Sequence, residues 1–143
     1  MQAYQMPKRI TETKDGGTKI ISDSDGTEML EKYSDAGAFY FDLESMTFTE
    51  ASDYLYNQIY GFDFDVSITY ELILQQVVVF QDKEIIEKFR MKIISDDEYH
   101  EESWRIIHQK TGEVFKITSI CKRVLDKNKK VKGIRGVTKR LKG

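Results

Sequence analysis

The last third of the chain alternates apolar and polar residues through three successive segments, and this pattern restricts the fold more than any other feature. The segments cover residues 99–107, 113–125 and 131–138, and turn signals at 110–112 and 126–130 separate them. One face of the second segment would carry Phe115, Ile117, Cys121 and Leu125. Three long antiparallel strands with one apolar face are not stable alone in water, so the rest of the chain must supply a layer that covers this face.

Composition limits the class of protein. The chain has 143 residues, a net charge of −2 and a single cysteine, Cys121. This length favours one domain with its own core, and nearly balanced charges give no general case for a nucleic-acid or acidic partner. A single cysteine excludes an internal disulfide and a cysteine-built metal cluster. No apolar run reaches membrane-spanning length and no signal-peptide core is visible, so we expect no membrane insertion and a cytoplasmic location.

The first part of the chain shows little periodicity. We interpret residues 1–23 as a flexible arm that contains at most a short strand over 18–21, and we expect a short helix over about 24–33. Residues 23–26 superficially resemble a calcium loop. The register of that loop would place Lys32 where a bidentate glutamate is needed, so no metal site is expected.

The middle of the chain predicts a hairpin followed by a helix. Residues 37–43 and 46–49 read as two strands joined by a tight turn. Ser52 is placed to cap a helix whose apolar residues recur at helical spacing until Gly61 supplies a stop.

Two further helices are predicted before the three alternating segments. One begins near Ser67 or Thr69, and the β-branched run over 77–79 is expected to end it early. The clearer one is capped by Asp82 and covers residues 83–94. Its inward stripe would consist of Ile85, Ile86, Phe89 and Ile93.

The element order is therefore two strands, a group of helices and three strands. This order predicts an α+β domain in which one five-stranded antiparallel sheet is covered on one face by short helices, with an N-terminal helix and a flexible arm in addition. We place this single domain over residues 24–143, with its core at about 35–140.

Several short motifs stand in a fixed order along the chain. They are Gly37-Ala38-Phe39-Tyr40-Phe41-Asp42-Leu43, the helix from Ser52 to Gly61-Phe62, Asp82, Lys110-Thr111-Gly112-Glu113 and Lys132-Gly133-Ile134-Arg135-Gly136-Val137-Thr138. In order and spacing they resemble the sensory-box subgroup of PAS domains over about residues 35–140. Two places differ: residues 79–82 read Val-Phe-Gln-Asp where the family commonly has His-Pro-x-Asp, and the closing Asp-Ile-Thr signature is reduced to Val137-Thr138.

The resemblance implies a ligand pocket between the concave face of the sheet and the helices. Four polar side chains could give such a pocket specificity: Ser103, Arg105, Ser119 and Tyr60. The alternative is that the apolar candidates simply fill the core. The candidates for the lining are Phe39, Phe41, Tyr56, Ile59, Phe89, Trp104, Ile106, Phe115, Ile117 and Cys121.

The sequence does not identify a cofactor. A flavin photosensor of this family would carry its reactive cysteine in a helical Gly-x-Asn-Cys-Arg-Phe-Leu-Gln-like stretch, whereas Cys121 falls on a predicted strand and reads as a buried structural thiol. Haem would require an axial histidine on the long helix, and both His100 and His108 lie instead at the ends of a predicted strand. Covalent flavin and haem are therefore not expected.

No catalytic residue is predicted. The acidic cluster over 96–102 lies between a helix and a strand, where carboxylates are normally solvated. The basic tail over 127–142 lacks interleaved aromatic residues and reads as a charged edge that discourages further strand pairing, with contact to nucleic acid or anionic lipid as the weaker alternative.

Two functions from different classes remain open. The first is a non-enzymatic sensory module that binds a small ligand or a partner protein and transmits the signal by a change of conformation or dimer packing. The second is a ligand-free dimerisation or scaffold domain. We expect a homodimer through the N-terminal helix and the outer sheet face, where Val114, Ile120 and Val124 would form an apolar patch.

Overall fold

An antiparallel sheet forms the centre of the computed structural model, which describes residues 8–12, 18–19 and 36–141. Its strands are β1 (Lys8–Glu12), β2 (Thr18–Lys19), β3 (Gly37–Asp42), β4 (Thr47–Ser52), β5 (His100–Ile107), β6 (Val114–Leu125) and β7 (Val131–Arg140). The order across the sheet is β2-β1-β4-β3-β7-β6-β5. The five strands β4, β3, β7, β6 and β5 pair with one another only in antiparallel fashion, which confirms the predicted five-stranded antiparallel sheet.

The closing strand β7 lies beside the opening strand β3, so the two ends of the domain meet in the middle of the sheet. Phe39 of β3 is paired with Gly136 of β7, and Gly136 is in turn paired with Cys121 of β6. A Cβ atom at Gly136 would lie 2.8 Å from the Phe39 ring and 2.7 Å from the Cys121 sulfur. Glycine at this position therefore leaves room for two inward side chains on the neighbouring strands.

The sheet is longer than predicted at its β4 edge. There β1 pairs in parallel with β4, with Arg9 opposite Ala51, and β2 pairs antiparallel with β1. No strand was predicted at β1, and only a short one at 18–21, because this polar stretch has no alternating pattern. The pairing of β1 depends on the edge of β4, which is distant in sequence and cannot be recognised from local residues. The predicted helix at 24–33 lies outside the described residues.

The first helical segment follows directly from the first hairpin. α1 (Leu55–Tyr60) is a wide, π-helical stretch. Ser52 caps its start as predicted, since its hydroxyl oxygen accepts a hydrogen bond from the Leu55 amide at 3.2 Å. Gly61 ends it with φ of 76°, a left-handed conformation that glycine adopts without strain.

The next segment, α2, begins as an α-helix over Tyr70–Leu72 and continues as a π-helix over Ile73–Val77. Thr69, one of the two predicted starting residues, accepts a hydrogen bond from the Leu72 amide at 3.0 Å. Val78 is already extended and forms an isolated bridge with Ile106 of β5, so the β-branched run does end the helix early.

A short 3-10 turn over Phe80–Asp82 leads into the long helix α3 (Lys83–Ser95). The stripe that faces the sheet contains Ile86, Phe89 and Ile93, all buried, whereas Ile85 is only half-buried at its margin. These helices lie over one face of the sheet, as predicted, and bury the inward side chains of β5 and β6 beneath them.

Asp82 does not cap α3, which corrects its predicted role. Its carboxylate instead accepts hydrogen bonds from the Arg105 backbone amide at 2.8 Å and from the Arg105 side chain at 2.9 and 3.0 Å. The amide of Val79 also donates to the Arg105 carbonyl at 3.1 Å. Residues 78–82 therefore satisfy backbone groups on the outer side of β5, an edge strand that would otherwise expose them.

No helix among the described residues is both long enough and apolar enough to cross a membrane.

Candidate functional site

A cavity lies between the inner face of the sheet and the helices α2 and α3. Its volume is about 80 Å³, several times the roughly 10–15 Å³ that one water molecule needs. Its size therefore suits a small molecule. Its lining residues are Phe39, Phe41, Phe48, Tyr60, Tyr70, Ile73, Ile86, Phe89, Arg90, Ile93, Trp104, Ser119, Cys121, Ile134 and Thr138.

The structure brings together half of the predicted lining residues. Those in the cavity wall are Phe39, Phe41, Phe89, Trp104 and Cys121. The others are buried in the same core away from the wall: Tyr56, Ile59, Ile106, Phe115 and Ile117. Alternation within strands identified inward side chains correctly, but it does not distinguish a residue beside a void from one that is fully packed.

Tyr56 shows how a predicted pocket residue serves another purpose. Its side chain is fully buried, and its hydroxyl donates a hydrogen bond to the Val66 carbonyl at 2.8 Å. Its ring contacts Phe64, with ring centres 4.9 Å apart. Tyr56 thus fixes the loop between α1 and α2 and does not face the cavity.

Two groups of aromatic rings form much of the wall. On the hairpin, the Phe48 ring lies 4.9 Å from Phe39 and 5.6 Å from Phe41, measured between ring centres. Phe89 of α3 lies 5.6 Å from Trp104 of β5. Rings at these distances and tilts attract one another and present flat apolar surfaces to the void.

Of the four polar groups that the sequence suggested, two reach the cavity. Ser119 lines it and shares a hydrogen bond of 2.7 Å with Thr138, and Tyr60 lines it from the end of α1. Ser103 does not, because its hydroxyl is hydrogen-bonded to Thr118 on the other face of the sheet. Arg105 is bound to Asp82 at the sheet edge.

Burial affects two weakly acidic groups of the wall. It raises the pKa of the Tyr60 hydroxyl, with a smaller contribution from nearby Cys121, and it raises the pKa of the Cys121 thiol. A neutral, buried thiol is a poor nucleophile. Cys121 therefore has the environment of a packing residue, consistent with its interpretation from the sequence.

The most polar part of the wall consists of Arg90 on α3 and Tyr70 on α2, and neither residue was predicted to line the pocket. The guanidinium carbon of Arg90 lies 4.9 Å above the centre of the Tyr70 ring. Both side chains are half-buried. A signal was available in the sequence, because Arg90 follows Ile86 by one helical turn and so borders the inward stripe.

Both histidines have structural partners outside the cavity. His100 forms a 2.7 Å contact with the Asp96 carboxylate. The Nε2 atom of His108 lies 2.9 Å from the Asn57 carbonyl, and its Nδ1 accepts from the amides of Lys110 and Thr111. The ring of His108 therefore links the β5–β6 turn to α1.

Charged residues of the acidic cluster and the basic tail also have partners. Arg123 donates to Asp97 at 2.7 Å, and the Nη2 group of Arg140 donates to both carboxylate oxygens of Glu113 at 2.8 and 3.1 Å. Arg135 is buried and donates to Glu50 at 2.8 Å. Part of the positive charge of the tail is thus neutralised within the sheet.

Comparison with known proteins gives matches at the level of structure. No family model and no curated protein matches the sequence, so the assignment to the sensory-box subgroup stays a prediction. A PAS domain from Colwellia psychrerythraea superposes with a TM-score of 0.61 at 18% identity, covering 75% of this chain and 86% of that one.

Two other solved structures are similar. The N-terminal domain of a diguanylate cyclase with a PAS/PAC sensor, from Marinobacter aquaeolei, gives a TM-score of 0.64 at 18% identity and covers 73% of this chain and 94% of that one. A light-oxygen-voltage domain studied with a flavin analogue gives 0.61 at 15% identity, with 84% and 87% covered.

Proposed function

Because this chain has the PAS fold, we propose that it is a sensory module that binds a small ligand in the cavity and transmits the signal by a change of conformation or dimer packing. The observation that carries the proposal is the void itself. It is walled by aromatic rings from both layers of the domain, and it meets polar groups at several points. A cavity with mainly apolar walls and a few convergent polar groups is typical of small-molecule sites.

The cavity also suits transmission, because its wall includes α3 on one side and strands β3, β4, β6 and β7 on the other. If the helix and the sheet can adopt two arrangements with different separations, a ligand that binds one of them more tightly increases the population of that arrangement. We propose a non-enzymatic role, since the described residues of the cavity wall include no His, Asp or Glu that could act as a base beside the Cys121 thiol or the Tyr60 hydroxyl. A cytoplasmic location is part of the proposal.

Native mass spectrometry and an absorption spectrum of the freshly purified protein test ligand binding. We expect a small molecule at near-stoichiometric level. Ile86→Phe should displace it by filling the cavity from α3, while Ile85→Phe, the same change on the neighbouring residue outside the wall, should retain it. If the wild-type protein carries no ligand and both variants are equally stable, the result would instead support the ligand-free interaction domain.

We further propose a homodimer that uses the outer face of the sheet. Val114 is 54% exposed there, while Ile120 is buried and Val124 half-buried. In analytical ultracentrifugation Val114→Glu should shift the protein toward monomer. Met91→Glu is the matched control, since Met91 is 60% exposed on α3 at the opposite layer. Equal sedimentation of wild type and Val114→Glu would exclude this residue from the interface.

A further inference from the structure

Arg90 and Tyr70 mark one end of the cavity as an anion site. Resting on the proposed ligand-binding function, we infer that the ligand is a small aromatic molecule with a carboxylate, and that Arg90 and Tyr70 hold the carboxylate while the aromatic walls hold the ring. The two residues come from different helices, α3 and α2, and line the same void.

Two buried hydrogen-bond donors at this end of the cavity lack acceptors among the described residues. The Tyr70 hydroxyl and the Arg90 Nε are both inaccessible to solvent, and neither has a hydrogen-bond partner within the described part of the chain. The Arg90 guanidinium contacts the face of the Tyr70 ring, and it forms no ion pair with a carboxylate among the described residues. Buried donors are costly when unsatisfied, and a ligand that supplies acceptor oxygens removes this cost.

The charge that the described residues bring to the cavity wall is positive. Arg90 is the one charged residue among the described residues that line the cavity, and no Asp or Glu shares that wall. Burial raises the pKa of the Tyr70 hydroxyl, the nearby Arg90 partly offsets this, and the Glu87 carboxylate adds a smaller upward shift, so the hydroxyl is protonated at neutral pH. A guanidinium beside a neutral hydroxyl matches a carboxylate, which accepts from both.

The remaining wall of the cavity is mainly apolar and aromatic. From the anion site the surface continues through aromatic rings, beginning with Phe41, whose ring centre lies 6.1 Å from that of Tyr70. Ser119 and Thr138 also line the cavity and share a hydrogen bond with each other. The cavity thus has one polar end with free donors and an apolar body that a flat ring can contact.

Binding of benzoate to the purified protein, with benzamide as the uncharged analogue of similar shape, tests the inference. Trp104 lines the cavity and is the only tryptophan, so its fluorescence reports occupancy. We expect benzoate to bind more tightly than benzamide, and Arg90→Met to weaken benzoate on the order of 10- to 100-fold while leaving benzamide within about twofold. Arg90→Lys should restore part of the preference.

Two matched variants guard against indirect effects. Tyr70→Phe keeps the ring and removes only the hydroxyl, so it should weaken benzoate severalfold. Lys88→Met removes an exposed cation from the same helix, one that pairs with Glu84, and should leave benzoate binding unchanged. Should Lys88→Met weaken benzoate as much as Arg90→Met, the effect would be one of general charge and the inference would fail.

Failure of the inference can be told apart from failure of the proposed function. Equal binding of benzoate and benzamide, or an unchanged benzoate affinity in Arg90→Met, overturns the anion site but keeps a ligand cavity. If neither probe changes Trp104 fluorescence at millimolar concentration, the aromatic carboxylate is rejected. The mass measurement of the purified protein then decides separately whether any ligand is bound.

Discussion

The contact between Asp82 and Arg105 provides the sharpest test of how the helical layer is joined to the sheet. Asp82→Ala would remove three hydrogen bonds at once, one of them to a backbone amide on the edge strand β5. Asp82 is 8% exposed, so water replaces these bonds poorly on its side. The Arg105 side chain is 48% exposed and can regain water, which lowers the expected cost.

The magnitude follows from these exposures. Breaking a fully buried ion pair costs about 3–5 kcal/mol, and hydrogen bonds to charged groups contribute about 1.5–3 kcal/mol. Because one partner is half exposed, we expect Asp82→Ala to lower the free energy of unfolding by about 2–3 kcal/mol. Urea unfolding followed by the fluorescence of the neighbouring Trp104 measures this change.

Glu113→Ala is the matched control. Both oxygens of the Glu113 carboxylate also accept hydrogen bonds from an arginine, but both partners are about half exposed, at 45% for Glu113 and 47% for Arg140. Its loss should cost less than about 1 kcal/mol. Equal costs for the two variants, or a change below about 0.5 kcal/mol for Asp82→Ala, would refute the reasoning.

The pH dependence supplies an independent check. Hydrogen bonds from Arg105 hold the pKa of Asp82 below its ordinary value in the folded protein. A carboxyl group with a lowered folded-state pKa stabilises the fold above its unfolded-state pKa, and this stabilisation is lost as the pH falls through the folded-state pKa. The difference between wild type and Asp82→Ala should therefore be full at neutral pH and shrink below about pH 4.

Three further predictions concern buried residues. Trp104→Ala should cost about 3–5 kcal/mol of unfolding free energy, because the side chain is 6% exposed and packs on Phe89; a cost below about 0.5 kcal/mol would contradict that packing. Tyr56→Phe should cost about 1 kcal/mol by leaving the Val66 carbonyl without its donor, and an unchanged urea midpoint would argue against the bond. Cys121 should react with a thiol reagent only on unfolding, since burial raises its thiol pKa; rapid labelling of the native protein would show an open cavity wall.

Local patterns predicted the parts of the fold that depend on neighbouring residues in the chain. Ser52 and Gly61 mark the two ends of α1 because a cap and a left-handed stop act within one helical turn. Alternation in β6 likewise placed Phe115 and Ile117 in the core. These signals are short in range, so one sequence is enough to read them.

The remaining features depend on pairs that are distant in sequence. Asp82 had the right position for a helix cap, but its carboxylate is engaged by Arg105, which lies 23 residues further on. Periodicity could assign Arg90 only to the border of a helix, and the void that gives it meaning arises from how α2, α3 and the sheet meet. The pairing of β1 with β4 is equally invisible to local sequence.

The hydrogen bonds of Asp82 also restrict how α3 can move. Asp82 immediately precedes this helix, and its carboxylate is attached to the backbone of β5, so the first turn of α3 cannot leave the sheet without breaking that attachment. The C-terminal end of α3 is attached to the sheet as well, because Arg123 of β6 donates a hydrogen bond to the Ile94 carbonyl at 3.0 Å. A change that moves α3 as a whole away from the sheet therefore has to break hydrogen bonds at both ends of the helix.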